Sequence, residues 1–320
     1  MKAENRIWYY VVLIILITSS CTKEKTVTLP VVTTAPLTKI TSTSVVTGGD
    51  VTTDGGSVIL AKGVCWSLIS EPTLTDNHTI DGTGSGSFLS SLDGLLSGTY
   101  YYVRAYATNS LGTSYGNEFN FILPVADADG NLYNTLYIGS QIWMTANLKT
   151  SKYNDNTIIP NVIENAGWSS LSTPAYCWYN NNEGLSGNYG ALYNWFAVNT
   201  GKLCPVGWHV PTELEWITLT NFLNGEYVAG GKLKEIGTNH WISPNTGASD
   251  DFHFTALPSG YRTGLEEGSF RALGYLDYYW ASTEDNSTNG RARLLTFDSS
   301  DLAPGAGLKK NGYSVRCIKD

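Results

Sequence analysis

Four histidines, His78, His209, His240 and His253, are the side chains of this 320-residue sequence best suited to metal or proton chemistry. A metal site needs several such ligands at short, fixed spacing, and these four show no paired ligand spacing, so ordinary hydrogen-bonded or solvent-facing histidines are expected. Asp127, Asp129 and Asn131 around Gly130 have the pattern of the first half of a calcium loop. The position where that loop needs a bidentate Glu is Ile138, which favours a tight turn instead. Glu213, Glu215, Glu266 and Glu267 read as helix-cap, helix-face and loop carboxylates, and the sequence has no Gly-x-Ser-x-Gly nucleophile elbow. No catalytic residue, metal ligand or cofactor site is expected.

Recognition is the better-supported chemistry. Residues 261 to 309 interleave aromatic and Arg side chains with Asn, Ser and Gly, the mixture that makes adaptable binding surfaces. Arg271, Tyr275, Tyr278, Tyr279, Arg291 and Arg293 are the candidate ligand contacts, while Trp280 is assigned to the core. The same tyrosines serve equally well to cover a loop-rich core, and the sequence does not separate the two readings for any one residue.

The elements that must position such loops start with GKLCPVGWHVPTELEW, residues 201 to 216. Thr212 followed by Glu215 is a reciprocal capping box, and Leu214, Ile217, Leu219, Phe222 and Leu223 recur at helical spacing, which predicts a helix over about 212 to 223. Leu192, Trp195, Phe196 and Asn199 predict a second helix over 189 to 199. Near the end of the chain, Tyr313, Val315 and Cys317 alternate with Ser314 and Arg316 as in a half-buried strand. Cys317 therefore points inward with Cys204 as its nearest candidate partner, and Cys177 is left over.

Earlier in the chain, Tyr101, Val103, Ala105 and Ala107 alternate with Tyr102, Arg104, Tyr106 and Thr108. Leu95, Ser97, Thr99 and Tyr101 have the spacing of a tyrosine corner. With GVCWS at 63 to 67 and YYVRAYATNSLGTSYGNE at 101 to 118, residues 38 to 123 resemble a fibronectin type III β-sandwich of the kind found in Bacteroidetes surface proteins. Cys65 has no partner cysteine in that segment and is expected to be a small buried hydrophobe.

Residues 127 to 320 carry DADGNLYNTLYIGSQIWMTANLKTSKYNDNTIIPNV, then AYCWYNN, YGALYNWFAV, GWHVPTELEW and YWASTE. In that order and spacing these blocks resemble the Fibrobacter succinogenes major paralogous domain. GWHVPTELEW and YSVRC further resemble elements of formylglycine-generating sulfatase modifiers, which implies an α+β C-type lectin-like fold with two helices. In that fold the long loops before the last strands form the ligand face. The resemblance implies neither lectin-type calcium nor modifier chemistry, because the Glu-Pro-Asn and Trp-Asn-Asp motifs and the reactive cysteine pair are absent from this domain. The fold class expected is thus β-rich and multidomain, a fibronectin III-like sandwich followed by the lectin-like domain.

Lys2 and Arg6 precede an apolar run from Ile7 to Ile17, too short to span a bilayer, and small residues lead to Cys21. Residues 1 to 20 resemble a lipoprotein signal peptide, although Thr18 stands where Leu, Val or Ile is usual. The resemblance implies acylation of Cys21 and a lipid anchor in the outer membrane, with the head at the cell surface. Residues 21 to 37, rich in Thr, Val and Pro, read as an extended tether of ~50 Å. The chain carries a net charge of −8, which becomes −9 once Lys2, Glu4 and Arg6 are removed. That sign argues against nucleic acid as a partner. The reading expected is a non-catalytic surface lipoprotein whose head binds a glycan or a surface protein. An enzyme of cell-surface polymer processing or protein modification, and a structural part of an outer-membrane assembly, are the alternatives.

Overall fold

The computed structural model describes residues 26–320. The signal peptide at 1 to 20 and the acylation site Cys21 lie outside the described residues. The chain folds as an N-terminal β-sandwich followed by a larger, loop-rich α+β domain. This is the β-rich, multidomain class read from the sequence.

In the sandwich, one sheet has the order β1-β2-β5, formed by β1 (Val31–Thr34), β2 (Val45–Thr53) and β5 (Gly86–Leu92). The facing sheet runs β4-β3-β6-β7, from β3 (Ala61–Ser67), β4 (Asn77–His78), β6 (Tyr100–Thr108) and β7 (Thr113–Tyr115), and β8 (Phe119–Ile122) also pairs with β6. The inward rows Val45, Val51, Val64, Leu92, Val103, Ala105 and Ala107 fill the space between the sheets. The tyrosine corner forms: the Leu96 N–H donates to the Tyr101 hydroxyl at 3.0 Å, so a buried ring also satisfies a turn. Cys65 is buried, and burial pushes its thiol up to about 11, which fits an inert core residue.

The tether assigned to 21–37 needs correction. Val31–Thr34 pairs antiparallel with β2, with Val32 and Thr34 buried and Val31 exposed. Thr28 N–H already bonds the Gly55 carbonyl at 2.8 Å, and Ser114 Oγ bonds the Pro30 carbonyl at 2.7 Å. A Thr- and Val-rich stretch without helical period is a strand once another strand lies beside it, and composition alone does not reveal that neighbour. The sandwich therefore takes up residues that were read as stalk.

The second domain closes its own ends together. Thr135–Ile138 and Gln141–Met144 form a hairpin, and Trp143 then pairs with Ile318 of the final strand, which in turn pairs with Trp208–His209. A second sheet is built from Leu276–Glu284, Asn289–Thr296 and Ala303–Leu308. Two aromatic clusters pack around these sheets. One contains Tyr133, Trp195, Trp280 and Tyr313, and the other contains Trp143, Trp216, Trp241 and Tyr279. Bulky rings supply the buried apolar area that so little regular structure would otherwise lack.

The capped helix runs Glu213–Phe222, with Thr212 and Glu215 bonding reciprocally. Its buried face is Trp216, Leu219, Thr220 and Leu223, whereas Leu214 and Ile217 point outward. The helix expected over 189–199 is instead a short strand, Leu192–Tyr193, followed by one turn at Trp195–Val198. Asn194 explains the break: its side chain accepts the Ala197 N–H at 3.0 Å and starts the turn there, after Tyr193 has paired with Tyr176. Among the described residues the other helix of at least two turns is Glu226–Leu233. The segment 313–317 is also more deeply placed than its alternation implied, since Ser314 and Arg316 are as buried as Val315 and Cys317.

The domains touch where the end of the chain meets the sandwich. Lys319 Nζ donates to the Gly98 carbonyl at 2.7 Å, and the Tyr100 and Tyr137 rings meet edge to face at 6.2 Å. Gly98 lies at φ +60, and a Cβ there would come within 2.7 Å of the Trp208 ring, so glycine is needed both for the turn and for the close approach.

Candidate functional site

The six ligand contacts expected in 261–309 separate into different environments. Tyr279 and Arg293 face each other across the Leu276–Glu284 and Asn289–Thr296 pair, and both are core residues, at 0% and 2% exposure. Arg293 is bonded to Glu213 at 2.6 Å, which ties the second sheet to the start of the capped helix. Tyr278 is stacked on Tyr313, with centroids 4.5 Å apart. Tyr275 is exposed, with its ring edge on Phe297, and Arg291 pairs with Asp285 at the surface. These two lie at opposite ends of one hairpin, since Leu276 is paired with Thr296 and Glu284 with Gly290. Arg271 lies on a short exposed strand beside Tyr261. Tyr279 and Arg293 are therefore unavailable to a ligand, because the alternation that exposes a side chain on one strand is overridden here by packing on both faces of the sheet. Trp280 is fully buried, with its Nε1–H on the Tyr193 carbonyl at 2.7 Å.

The cysteine clamp forms as expected. Cys204 and Cys317 are disulfide-bonded across 113 positions, beside the strand pairing that closes the domain. Cys177 is free and buried, and burial pushes its thiol up to about 12, which leaves it unreactive.

His209 belongs to the same closure. Its Nε2 meets Glu215 at 2.8 Å and its Nδ1 meets Asp320 at 2.6 Å, so the capped helix and the last residue share one imidazole. Partial burial opposes the charged ring, but the hydrogen bonds to Asp320 and Glu215 outweigh it and raise the His209 pKa. Burial likewise raises Glu215, and the Thr212 N–H and His209 outweigh it, so its pKa is lowered. The raised His209 value means that its contribution is complete below the ordinary histidine pKa and is lost as pH climbs through the higher folded value. The lowered Glu215 value means the opposite limb, lost as pH falls below the ordinary glutamate range. Stability is expected to fall slightly on the alkaline side, by less than about 1 kcal/mol because the pair is partly solvated. His209→Ala should flatten that limb, and an unchanged pH profile in the variant would refute this role.

Three groups missed by the sequence reading hold the loops. Arg262, fully buried between the Trp168 and Phe270 rings at 4.6 Å each, donates to the carbonyls of Gly268, Val162 and Ile163 and to Asn165 Oδ1. Lys234, also buried, places its ammonium on the carbonyls of Thr246, Thr296 and Ser299 at 2.8 to 3.0 Å, and burial lowers its pKa to about 8. Asn147 joins Ser259, Asp277, Ser314 and Arg316 in one buried polar cluster. No local pattern marks these residues, because most of their partners lie far away in sequence, Val162 a hundred positions from Arg262 and Ser314 167 from Asn147.

The Asp127–Asn131 turn is a tight turn, as read. Asp127 Oδ1 accepts the N–H groups of Asp129 and Asn131, Gly130 sits at φ +82, and Asp127 Oδ2 takes the Tyr133 hydroxyl at 2.6 Å. Asp129 is saturated by Lys152 at 3.1 Å and by Thr150 and Ser151. Burial opposes its ionisation, but these donors win and lower its pKa. Both carboxylates thus fasten the turn to the following segment.

Beside that turn lies a cleft of about 330 Å³, lined among others by Lys149, Asn161, Tyr176, Trp178, Glu183 and Ser186. Tyr176 and Trp178 form the floor, edge to face at 5.3 Å, each showing less than a tenth of its surface. Within the described residues the side chains of Lys149, Asn161, Glu183 and Ser186 have neither a hydrogen bond nor an ion pair, in contrast to the saturated Asp129. Backbone bonds place the first two: Tyr176 pairs with Asn161 and Tyr193, and the Lys149 N–H is fixed by the Tyr133 hydroxyl at 3.0 Å. The arrangement can present a set of preplaced donors and acceptors over an aromatic floor.

Comparison with known proteins adds the lineage. A search of curated proteins finds no match. Among solved structures, the chain is similar over 30% of its length to the sensor domain of the anti-sigma factor RsgI4 in Pseudobacteroides cellulosolvens, covering 96% of that chain at 18% identity and a TM-score of 0.24. It is similar over 35% of its length to the third fibronectin III domain of human KIAA0343 protein, covering 96% of that chain at 16% identity and a TM-score of 0.24. The family model of the Fibrobacter succinogenes major domain matches residues 136–319, more than half of the sequence and almost all of the domain that carries the cleft, and the chain belongs to that family.

Proposed function

We propose that this protein is a lipoprotein anchored through Cys21 at the outer-membrane surface, whose C-type lectin-like head binds a glycan or a surface protein without chemical conversion. The observation that carries the reading is the cleft between Lys149 and Trp178, where free polar side chains stand on a fixed backbone above two aromatic rings. Polar groups that the fold does not use, held in place by groups that it does, reduce the ordering cost of taking a ligand. The fibronectin III-like sandwich stands between Cys21 and the head in the sequence, and Lys319 of the head contacts it at the Gly98 carbonyl.

The test is a glycan and surface-protein array probed with the full chain. A saturable signal is expected, and Lys149→Ala with Asn161→Ala should reduce it about tenfold or more without changing the melting midpoint. Turnover of a surface polymer by the purified protein, or a signal indifferent to both substitutions, would contradict the reading.

A further inference from the structure

We propose that the cleft takes a sugar acid, a pyranose or short oligosaccharide bearing a single carboxylate. This rests on the binding reading above and names its ligand class.

The ammonium of Lys149 decides the charge. Of the two carboxylates that line the cleft, Asp129 is already used by Lys152 at 3.1 Å, by the N–H and Oγ of Ser151 and by Thr150 Oγ1, and Glu183 makes no ion pair with Lys149. Lys149 thus makes no ion pair among the described residues, while its main chain is pinned between Leu148, whose N–H bonds the Val315 carbonyl at 2.8 Å, and the buried Thr150. A ligand carboxylate completes it.

The remaining groups decide the rest of the ligand. Asn161 offers a donor and an acceptor, Ser186 a hydroxyl, and Glu183 an acceptor that an adjacent ring hydroxyl can satisfy. The Tyr176 and Trp178 rings give the cleft an aromatic surface against which the C–H face of a sugar ring can pack. Glu183 also repels a second negative charge, which disfavours phosphates and strongly acidic peptides. One carboxylate set among hydroxyls fits all of these at once.

Calorimetric titration of the full chain with a hexuronate trisaccharide, a neutral hexose trisaccharide and a glutamate-rich peptide tests the assignment. The uronate is expected to bind about tenfold more tightly than the neutral sugar, with the preference weakening as salt rises. Lys149→Met should remove the preference and Lys149→Arg should keep it, with both variants melting as the parent does. Equal binding of the two sugars, a preference that survives Lys149→Met, or binding of the peptide alone would overturn the proposal. If neither sugar binds while the array yields another ligand whose signal needs Lys149 and Asn161, the sugar-acid assignment fails and the broader binding reading stands.

Discussion

Replacing Cys204 and Cys317 together by serine is expected to lower the stability of the second domain by about 5 kcal/mol. The bond closes a loop of 113 positions, and in the chain-entropy account a cross-link of that span restricts the unfolded ensemble by about this amount. The native structure stands to lose less than the number suggests only if the closure is redundant. Trp143 pairs with Ile318, His209 binds Asp320, and Met144 N–H bonds the Cys317 carbonyl at 3.1 Å, so the ends are held noncovalently as well. Those contacts act in the folded state and leave the unfolded chain unrestricted. Denaturant titration of the double variant beside the oxidised parent measures the difference. A loss below about 1 kcal/mol would mean that strand pairing, rather than the disulfide, closes the domain.

Arg316→Leu is expected to cost about 3 to 5 kcal/mol through a different mechanism. The guanidinium is buried, stacked at 4.1 Å on Phe254, and donates to Asn147 Oδ1 at 2.8 Å, while Asn147 Nδ2 faces the Asp277 carboxylate at 3.3 Å. The charges are thus related through an amide instead of touching. Removing Arg316 leaves Asn147 Oδ1 and the Phe254 carbonyl without their donor inside the domain. Burial raises the Asp277 pKa to about 7, against lowering contributions led by Ser314. Because this folded value lies above the unfolded one, the domain is most stable below about pH 4 with respect to this group. It loses stability as pH rises towards 7, by about 4 kcal/mol in total. Asp277→Asn should abolish that slope in a series of unfolding titrations from pH 4 to 8. A slope that persists would assign the pH dependence elsewhere.

Legibility of the sequence followed the range of the interactions. The capping box at Thr212 and Glu215 and the tyrosine corner at Tyr101 are completed within six residues, and both were readable from spacing. The Cys204–Cys317 pair was readable because a cysteine has few partners to choose from. The strand Val31–Thr34 was not, since its partner β2 decides its state. The helix expected at 189–199 failed because its apolar spacing is shared with a strand-and-turn path that tertiary pairing with Tyr176 favours. Tyr279 and Arg293 failed as ligand contacts for a related reason: a strand covered on both faces buries residues that alternation alone would expose. The cleft was invisible because Lys149, Asn161 and the Trp178–Glu183 stretch come from three segments that nothing in the sequence brings together.

Hydrogen-exchange mass spectrometry of the full chain with and without its array-identified ligand tests the location of the binding site most directly. Protection is expected in peptides spanning 147 to 152, 158 to 162 and 176 to 187, the segments that line the cleft. Protection confined to the surface around Arg271, Tyr275 and Arg291, with those three segments unchanged, would contradict it.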